Sequence, residues 1–287
     1  SGLNCSFSVD RTSGLAPLSV TATASVEGAD DVEYRWYLTG GEEPDFVGSD
    51  KKLVSIDLSA GRYAARLVVA DKSGNTAEFV LPGGLFSAPP VVYVDAANAG
   101  HSVFPYGLPE TAATNLETAA EATVAGSEIR LSRGDYRLSA TLMLNEGRRL
   151  VAPEVMVLMP PETDPGSVAP LVLLQDADSR LSGVTLAEAR ARALLLKTGT
   201  TVSNCVVRNG ITDVYDGAAV KVEGGSFVCC VVSNNVSQEK GTTGRCYGGG
   251  LYMTGNGLVD RCVFAQNSAG TGTHGGDGGG GAVNMTA

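Results

Sequence analysis

Positive charge is scarce in this sequence: 21 Lys and Arg stand against 31 Asp and Glu, for a net charge of −10. Affinity for nucleic acid rests largely on counterion release by Lys and Arg, so no nucleic-acid partner is expected. Aromatic residues make up only 6% of the chain, with a single tryptophan, Trp36. Histidine occurs twice, at His101 and His274, and no Ser-His-Asp ordering is discernible. No run approaches the roughly 20 apolar residues that span a bilayer, so a membrane span is not expected. A charged-then-apolar leader is not seen either, whether removed or simply not included, and the expectation is an acidic, extracytoplasmic protein. Six cysteines (Cys5, Cys205, Cys229, Cys230, Cys246 and Cys262) are too few for a disulfide scaffold in 287 residues. None lies in a CxxC pair, which leaves zinc and dithiol redox motifs with little support. Cys229 and Cys246 flank a loop, and spacing alone does not decide whether they pair.

What the chain does have is apolar residues, 43% of the total, and 37 glycines crowded toward its end. That is enough apolar content to bury cores, and the length suits two domains. Glycine destabilises helices by roughly 1 kcal/mol relative to alanine, so the glycine-rich stretches point to tight turns between strands.

From residue 4 to about 88 the apolar residues alternate: Phe7 and Val9; Leu18, Val20 and Ala22; Tyr34 and Trp36; Tyr63, Ala65, Leu67 and Val69; Phe79 and Leu81. Period-2 runs separated by Gly, Asp, Ser and Pro predict an antiparallel sandwich, with Trp36 as a core anchor. Gly14-Leu15-Ala16-Pro17-Leu18-Ser19-Val20-Thr21, Tyr34-Arg35-Trp36, Gly61-Arg62-Tyr63 and Leu67-Val68-Val69-Ala70-Asp71 carry a resemblance to the PKD domain. That family is an immunoglobulin-like module of bacterial extracellular proteins, and the resemblance implies a spacer over residues 1–88. The family's Asp-Phe-Gly-Asp-Gly run is replaced by Tyr37-Leu38-Thr39-Gly40-Gly41, so a carboxylate role for that loop is not carried over. Pro82 to Pro90 reads as the linker.

The second domain, 89–287, opens with a strand at Val91–Asp95. Its clearest helical signal runs from Pro109 to Ala125, with Thr114 and Glu117 at capping-box spacing and Leu116, Ala119, Ala120 and Val124 on one face. This helix is expected to cap the N-terminal end of the domain. Val202-Ser203-Asn204-Cys205-Val206-Val207-Arg208-Asn209 then recurs as Phe227-Val228-Cys229-Cys230-Val231-Val232-Ser233-Asn234, and again as Val259-Asp260-Arg261-Cys262-Val263-Phe264-Ala265-Gln266. The cysteines are 25 and 32 residues apart. Short strands repeating at such intervals suit a solenoid of stacked β-coils. The expected interior rows are Cys205/Cys230/Cys262, Val207/Val232/Phe264 and Leu196/Val222/Met253, with Asn209 and Asn234 turning the coils in left-handed geometry.

Tyr93-Val94-Asp95-Ala96-Ala97-Asn98, Gly134-Asp135-Tyr136 and the Asn-Cys-Val-Val repeats resemble the right-handed parallel β-helix of the pectate-lyase-like superfamily. The resemblance implies an all-β protein of bacterial secreted or cell-surface type. It fixes no activity, since lyases, glycosidases, tailspikes and adhesins share the fold. The chain closes on Asn284-Met285-Thr286-Ala287 in a coil just begun, from which a truncated β-helix and end-to-end self-association are expected.

Outward carboxylates with Arg or Lys on neighbouring coils are what lyase or hydrolase chemistry requires. The candidates are Asp260, Arg261 and Arg208, with Asp213, Asp216 and Glu223 beside them; a surface ion pair is the plainer reading of Asp260-Arg261. Asp176 and Asp178 are the candidate metal ligands, for calcium, because hard cations select clustered oxygens. The glycine run around His274 lacks the strand and helix of a phosphate loop. Tyr247 and Tyr252 are the candidate exposed aromatics for a glycan. The leading expectation is a non-catalytic platform for adhesion or for a polysaccharide or cell-surface glycan. A polysaccharide lyase or glycoside hydrolase is the rival, and a structural stalk or envelope component is the third reading.

Overall fold

A computed structural model describes residues 2–152, 156–160, 169–212, 219–237, 248–270 and 283–286. The chain divides into two compact units, Ser1–Pro90 and Val91–Ala287. No helix among the described residues is long and apolar enough to cross a membrane.

In the N-terminal unit, Asn4–Val9, Leu18–Glu27 and Leu53–Leu58 form one antiparallel sheet. Phe46–Gly48, Val32–Tyr37, Arg66–Asp71 and Thr76–Val80 form a second. The alternating residues of both bury one shared core, the arrangement of an immunoglobulin-like sandwich. Trp36 is fully buried at its centre, its ring nitrogen donating to the Lys51 carbonyl at 2.7 Å and the Phe7 ring standing edge-on at 5.1 Å. The loop after Trp36 is closed by Asp45, whose carboxylate accepts the Leu38 and Thr39 backbone N–H groups and the Thr39 hydroxyl. The expected linker is shorter than its prolines and glycines suggest. Leu85–Ala88 is a strand, parallel to Ser13–Leu15 and antiparallel to Gly61–Tyr63. Leu85 and Ala88 need that placement because both are buried.

The second unit is built by one repeating itinerary. After the opening strand Val91–Val94, the chain visits three parallel sheets in the same order, coil after coil. Glu128–Leu131, Gly134–Arg137 and Leu142–Leu144 make the first full circuit; Leu258–Asp260, Val263–Ala265 and Val283–Thr286 make the last one described. From the fourth circuit a small fourth sheet of Ile211–Thr212, Val236–Ser237 and Ser268–Ala269 is inserted. Every sheet neighbour is therefore the equivalent strand of the adjacent coil, which is a β-helix-like stack.

Strict register converts sequence repeats into rows of like side chains. In the first sheet Val92, Ile129, Leu150, Leu181, Val202, Phe227 and Val259 stack inward. The second sheet stacks Leu158, Leu186, Val207, Val232 and Phe264, and the third Leu144, Leu174, Leu196, Val222 and Met253. Two of these contain the expected rows Val207/Val232/Phe264 and Leu196/Val222/Met253. Cys205 and Cys230 are buried and Cys262 is half-buried, as small apolar residues would be.

From Gly183 onward, the two turns that flank the second-sheet strand of each coil each carry a left-handed residue. Gly183, Asn204, Cys229 and Arg261 (φ 76°, 53°, 54° and 50°) precede the interior cysteine position; Glu188, Asn209, Asn234 and Gln266 serve the second turn. Asn209 and Asn234 thus adopt the expected geometry. Lateral hydrogen bonds between coils are made by the following residue. Asn235, buried, accepts the Gly210 N–H at 2.9 Å and donates to the Val207 carbonyl and to Asn267, while Asn267 donates to the Val232 carbonyl. The side chain one place after the turn points inward, where a polar group must find partners.

The helix is the main departure from expectation. Only Leu116–Ala120 is helical, preceded by a 3-10 turn at Pro109–Thr111. Its N-cap is Asn115, which accepts from Thr118, rather than Thr114. Glu117 makes no capping box and instead reaches Ser139, accepting both its N–H and its hydroxyl at 2.8 Å. Burial would raise this carboxyl, but the Ser139 bonds hold it below its ordinary range. Leu116, Ala119 and Ala122 join the solenoid core, yet so short a helix is not the extended cap that was expected.

Two Gly-x-Tyr corners recur, one in each unit. The Tyr63 hydroxyl donates to the Ser59 carbonyl at 2.9 Å and the Tyr136 hydroxyl to the Ser132 carbonyl at 3.1 Å, each ring lying against its glycine.

The two asparagines of the 234–235 turn should separate cleanly on mutation. Asn235→Ala is expected to lower unfolding free energy by about 1–3 kcal/mol by stranding the Gly210 N–H and Val207 carbonyl. Asn234→Gly should change it by less than about 1 kcal/mol, because glycine accepts positive φ without strain. Urea unfolding of the two variants measures the contrast.

Candidate functional site

The third sheet meets the first through a turn in every coil, and three of these turns frame a concavity. Thr198, then Glu223 and Gly224, then Thr254, Gly255 and Asn256 come from three successive coils and line a cleft of about 360 Å3. Gly224 (φ 94°) keeps it open: a Cβ there would lie 2.6 Å from the Thr198 hydroxyl. Thr198 Oγ1 donates to the Glu223 carbonyl at 3.4 Å. The Glu223 carboxylate is held 2.8 Å from Lys221 Nζ, whose side chain is largely buried. The lining thus offers hydroxyls, an exposed amide and a neutralised carboxylate, groups that exchange hydrogen bonds with polyols. Among the described residues that line it, Glu223 carries the one carboxylate, whereas acid-base work on a glycosidic bond takes two.

Among the described residues, those singled out from sequence do not converge on one site. Asp260 ends a first-sheet strand and Arg261 occupies the adjoining turn, where Arg261 Nε donates to Asp260 at 2.8 Å and both are exposed. Arg208 ends a second-sheet strand, in register with Ala187 and Ser233. Asp176 and Asp178 lie in an earlier turn. The Asp176 carboxylate accepts the Glu146 N–H at 3.1 Å, and Asp178 takes the left-handed position of its turn (φ 67°). Both act as turn formers, and among the described residues no three Asp, Glu, His or Cys side chains gather as metal ligands. Tyr252 corrects an expectation: it is 8% exposed, with Lys221 Nζ 5.8 Å from its ring centre, so it offers no open aromatic face. Tyr247, Asp213, Asp216, Cys246 and His274 lie outside the described residues. His101 is exposed in a loop. Glu223 was among the sequence candidates, but Thr198, Thr254 and Asn256 were not. Their signal was the glycine punctuation between strands, which marks a turn without saying that turns from three coils form a cleft.

The cysteines divide by direction. Cys205 and Cys230 point inward, the Cys230 sulfur accepting the Cys205 N–H at 3.4 Å. The hydrogen bond with Cys205, together with burial, pushes the Cys230 thiol far above its ordinary range. The same bond holds the Cys205 thiol below its ordinary range, and both sulfurs are shielded from solvent. Cys229, in the left-handed turn, is a half-exposed free thiol.

No protein-family model, no curated protein and no solved structure matches this chain.

The thiol geometry makes a direct prediction. A short maleimide pulse on the native protein, read by peptide mapping, should modify Cys229 well before Cys205 and Cys230, which should react only on unfolding.

Proposed function

We propose that this protein is an extracellular, cell-surface glycan-binding platform of bacterial type that does not cleave its ligand. In this reading the N-terminal unit is a PKD-like spacer. The second unit is a right-handed β-helix of the pectate-lyase-like kind, and its stacked turns present the ligand-binding surface. The observation that supports it is the cleft of Thr198, Glu223, Gly224, Thr254, Gly255 and Asn256, whose polar groups sit on turns fixed by three coils. Pre-organised donors and acceptors are what sugar hydroxyls select, because little side-chain entropy remains to be lost. The lyase or hydrolase reading asks for converging acid and base groups, whereas Asp260 and Arg261 pair only with each other at an exposed turn and Arg208 stands on a different sheet.

The test is a binding measurement paired with a depolymerisation assay, with and without calcium, over a panel of polysaccharides. Saturable binding without new reducing ends or unsaturated products is expected. Asn256→Ala combined with Thr254→Ala should weaken that binding about tenfold, equivalent to about 1.4 kcal/mol. Turnover on any polymer would overturn the reading.

A further inference from the structure

The outward rows of the first sheet contain an arrangement that the fold itself does not require. Glu128, Arg149, Arg180, Thr201, Ser226 and Leu258 stand in register on successive coils. Arg149 and Arg180 are direct neighbours, on strands about 4.8 Å apart. Like charges directly opposite each other destabilise a sheet, and this chain has an excess of carboxylates with which to avoid that. Several other arginines are held by a carboxylate: Arg35, Arg66, Arg130 and Arg148 by Glu33, Glu78, Glu128 and Glu146. Arg149 and Arg180 are exposed, and among the described residues neither makes an ion pair or a side-chain hydrogen bond. Glu128, next in the row, has its carboxylate on Arg130 at 2.5 Å, and Asp178, two residues before Arg180, makes no ion pair with it.

We infer that Arg149 and Arg180 form an oxyanion site: two guanidiniums one coil apart that share a negatively charged group carried on a sugar chain. Guanidinium presents paired N–H donors that match carboxylate and sulfate oxygens, so one such group placed between them relieves the repulsion of the empty pair. The row continues from Arg180 to Thr201, Ser226 and Leu258, and each of these opens the strand that succeeds one of the cleft turns. A linear polymer lying along the stack would meet the arginines and the cleft in succession. The inference rests on the platform reading and adds the ligand's charge to it.

The experiment measures binding of the whole chain to three immobilised probes: a uronate polymer, a sulfated polysaccharide and a neutral polysaccharide of similar length. Single-stranded DNA serves as a polyanion control and free sulfate as competitor. Arg149→Gln with Arg180→Gln is compared with the paired-arginine control Arg35→Gln. The expected result is preference for at least one charged polysaccharide over the neutral one, weakening as salt rises. The double variant should lose tenfold or more of that affinity and Arg35→Gln should lose none; whichever charged polymer binds better identifies the group. The double variant should melt no lower than the parent, since it removes a repulsion; a clear fall would assign the arginines a structural role and overturn the inference. Equal binding of neutral and charged polymers, or a double variant with parental affinity, would overturn it and leave the platform reading standing. Equal binding of DNA through the same arginines would overturn the glycan assignment. Failure of every polysaccharide would overturn both readings.

Discussion

Coil-on-coil stacking in strict register is the constraint on which the second unit depends. A single circuit of three short strands buries nothing alone; its inward residues are covered only when the next circuit places equivalent residues about 4.8 Å away. Phe227 is fully buried because Val202 and Val259 stand in register on either side of it. The same logic governs polar positions. Asn235 is tolerable inside the stack only because Gly210 and Asn267 occupy the equivalent place on adjacent coils and complete its hydrogen bonds. A residue's surroundings in this unit are thus largely its own counterparts one coil away.

That dependence explains what the sequence revealed. The coils from Val202 onward repeat Cys-Val-Val and Cys-Val-Phe at recognisable intervals, so their rows were legible before the structure, as was the alternation around Trp36 in the sandwich. The earlier coils carry the same architecture with Leu150, Leu181 and Leu186 and no shared motif, and only pairing shows that they are equivalent. Helical periodicity over Pro109–Ala125 misled because Leu116, Ala119 and Ala122 face the solenoid core however the backbone between them is wound. Between Pro82 and Pro90, proline and glycine concealed a strand whose burial comes from two partners distant in sequence, Ser13–Leu15 and Gly61–Tyr63.

The candidate sites were less legible for a related reason. In a solenoid, a site is assembled across coils, from residues roughly 20 to 30 positions apart that share no local motif. Thr198, Glu223 and Asn256 come together because each lies at or just beyond the end of the third-sheet strand of its own coil. Asp176, Asp178, Asp260 and Arg261 drew attention as neighbouring charges in sequence, and they turn out to shape or flank turns. Arg149 and Arg180 look ordinary along the chain and are conspicuous only in register. A surface of this kind is tuned coil by coil, as exchanging one outward residue leaves the interior rows untouched.

Since every functional reading depends on one strand per coil in each sheet, the most direct test is a distance along the stack. Arg130 and Asp260 occupy the same outward row, five coil steps apart through Val151, Ser182, Ser203 and Val228. Spin labels at Arg130→Cys and Asp260→Cys in a Cys229→Gly, Cys246→Ser, Cys262→Ser background, where only the buried thiols Cys5, Cys205 and Cys230 remain and stay unlabelled, should give a single narrow distance. At about 4.8 Å per step that distance is about 24 Å between backbones, broadened only by the label arms. A broad distribution, or a mean displaced by one or more coil steps, would contradict the register and with it the stack on which the account is built.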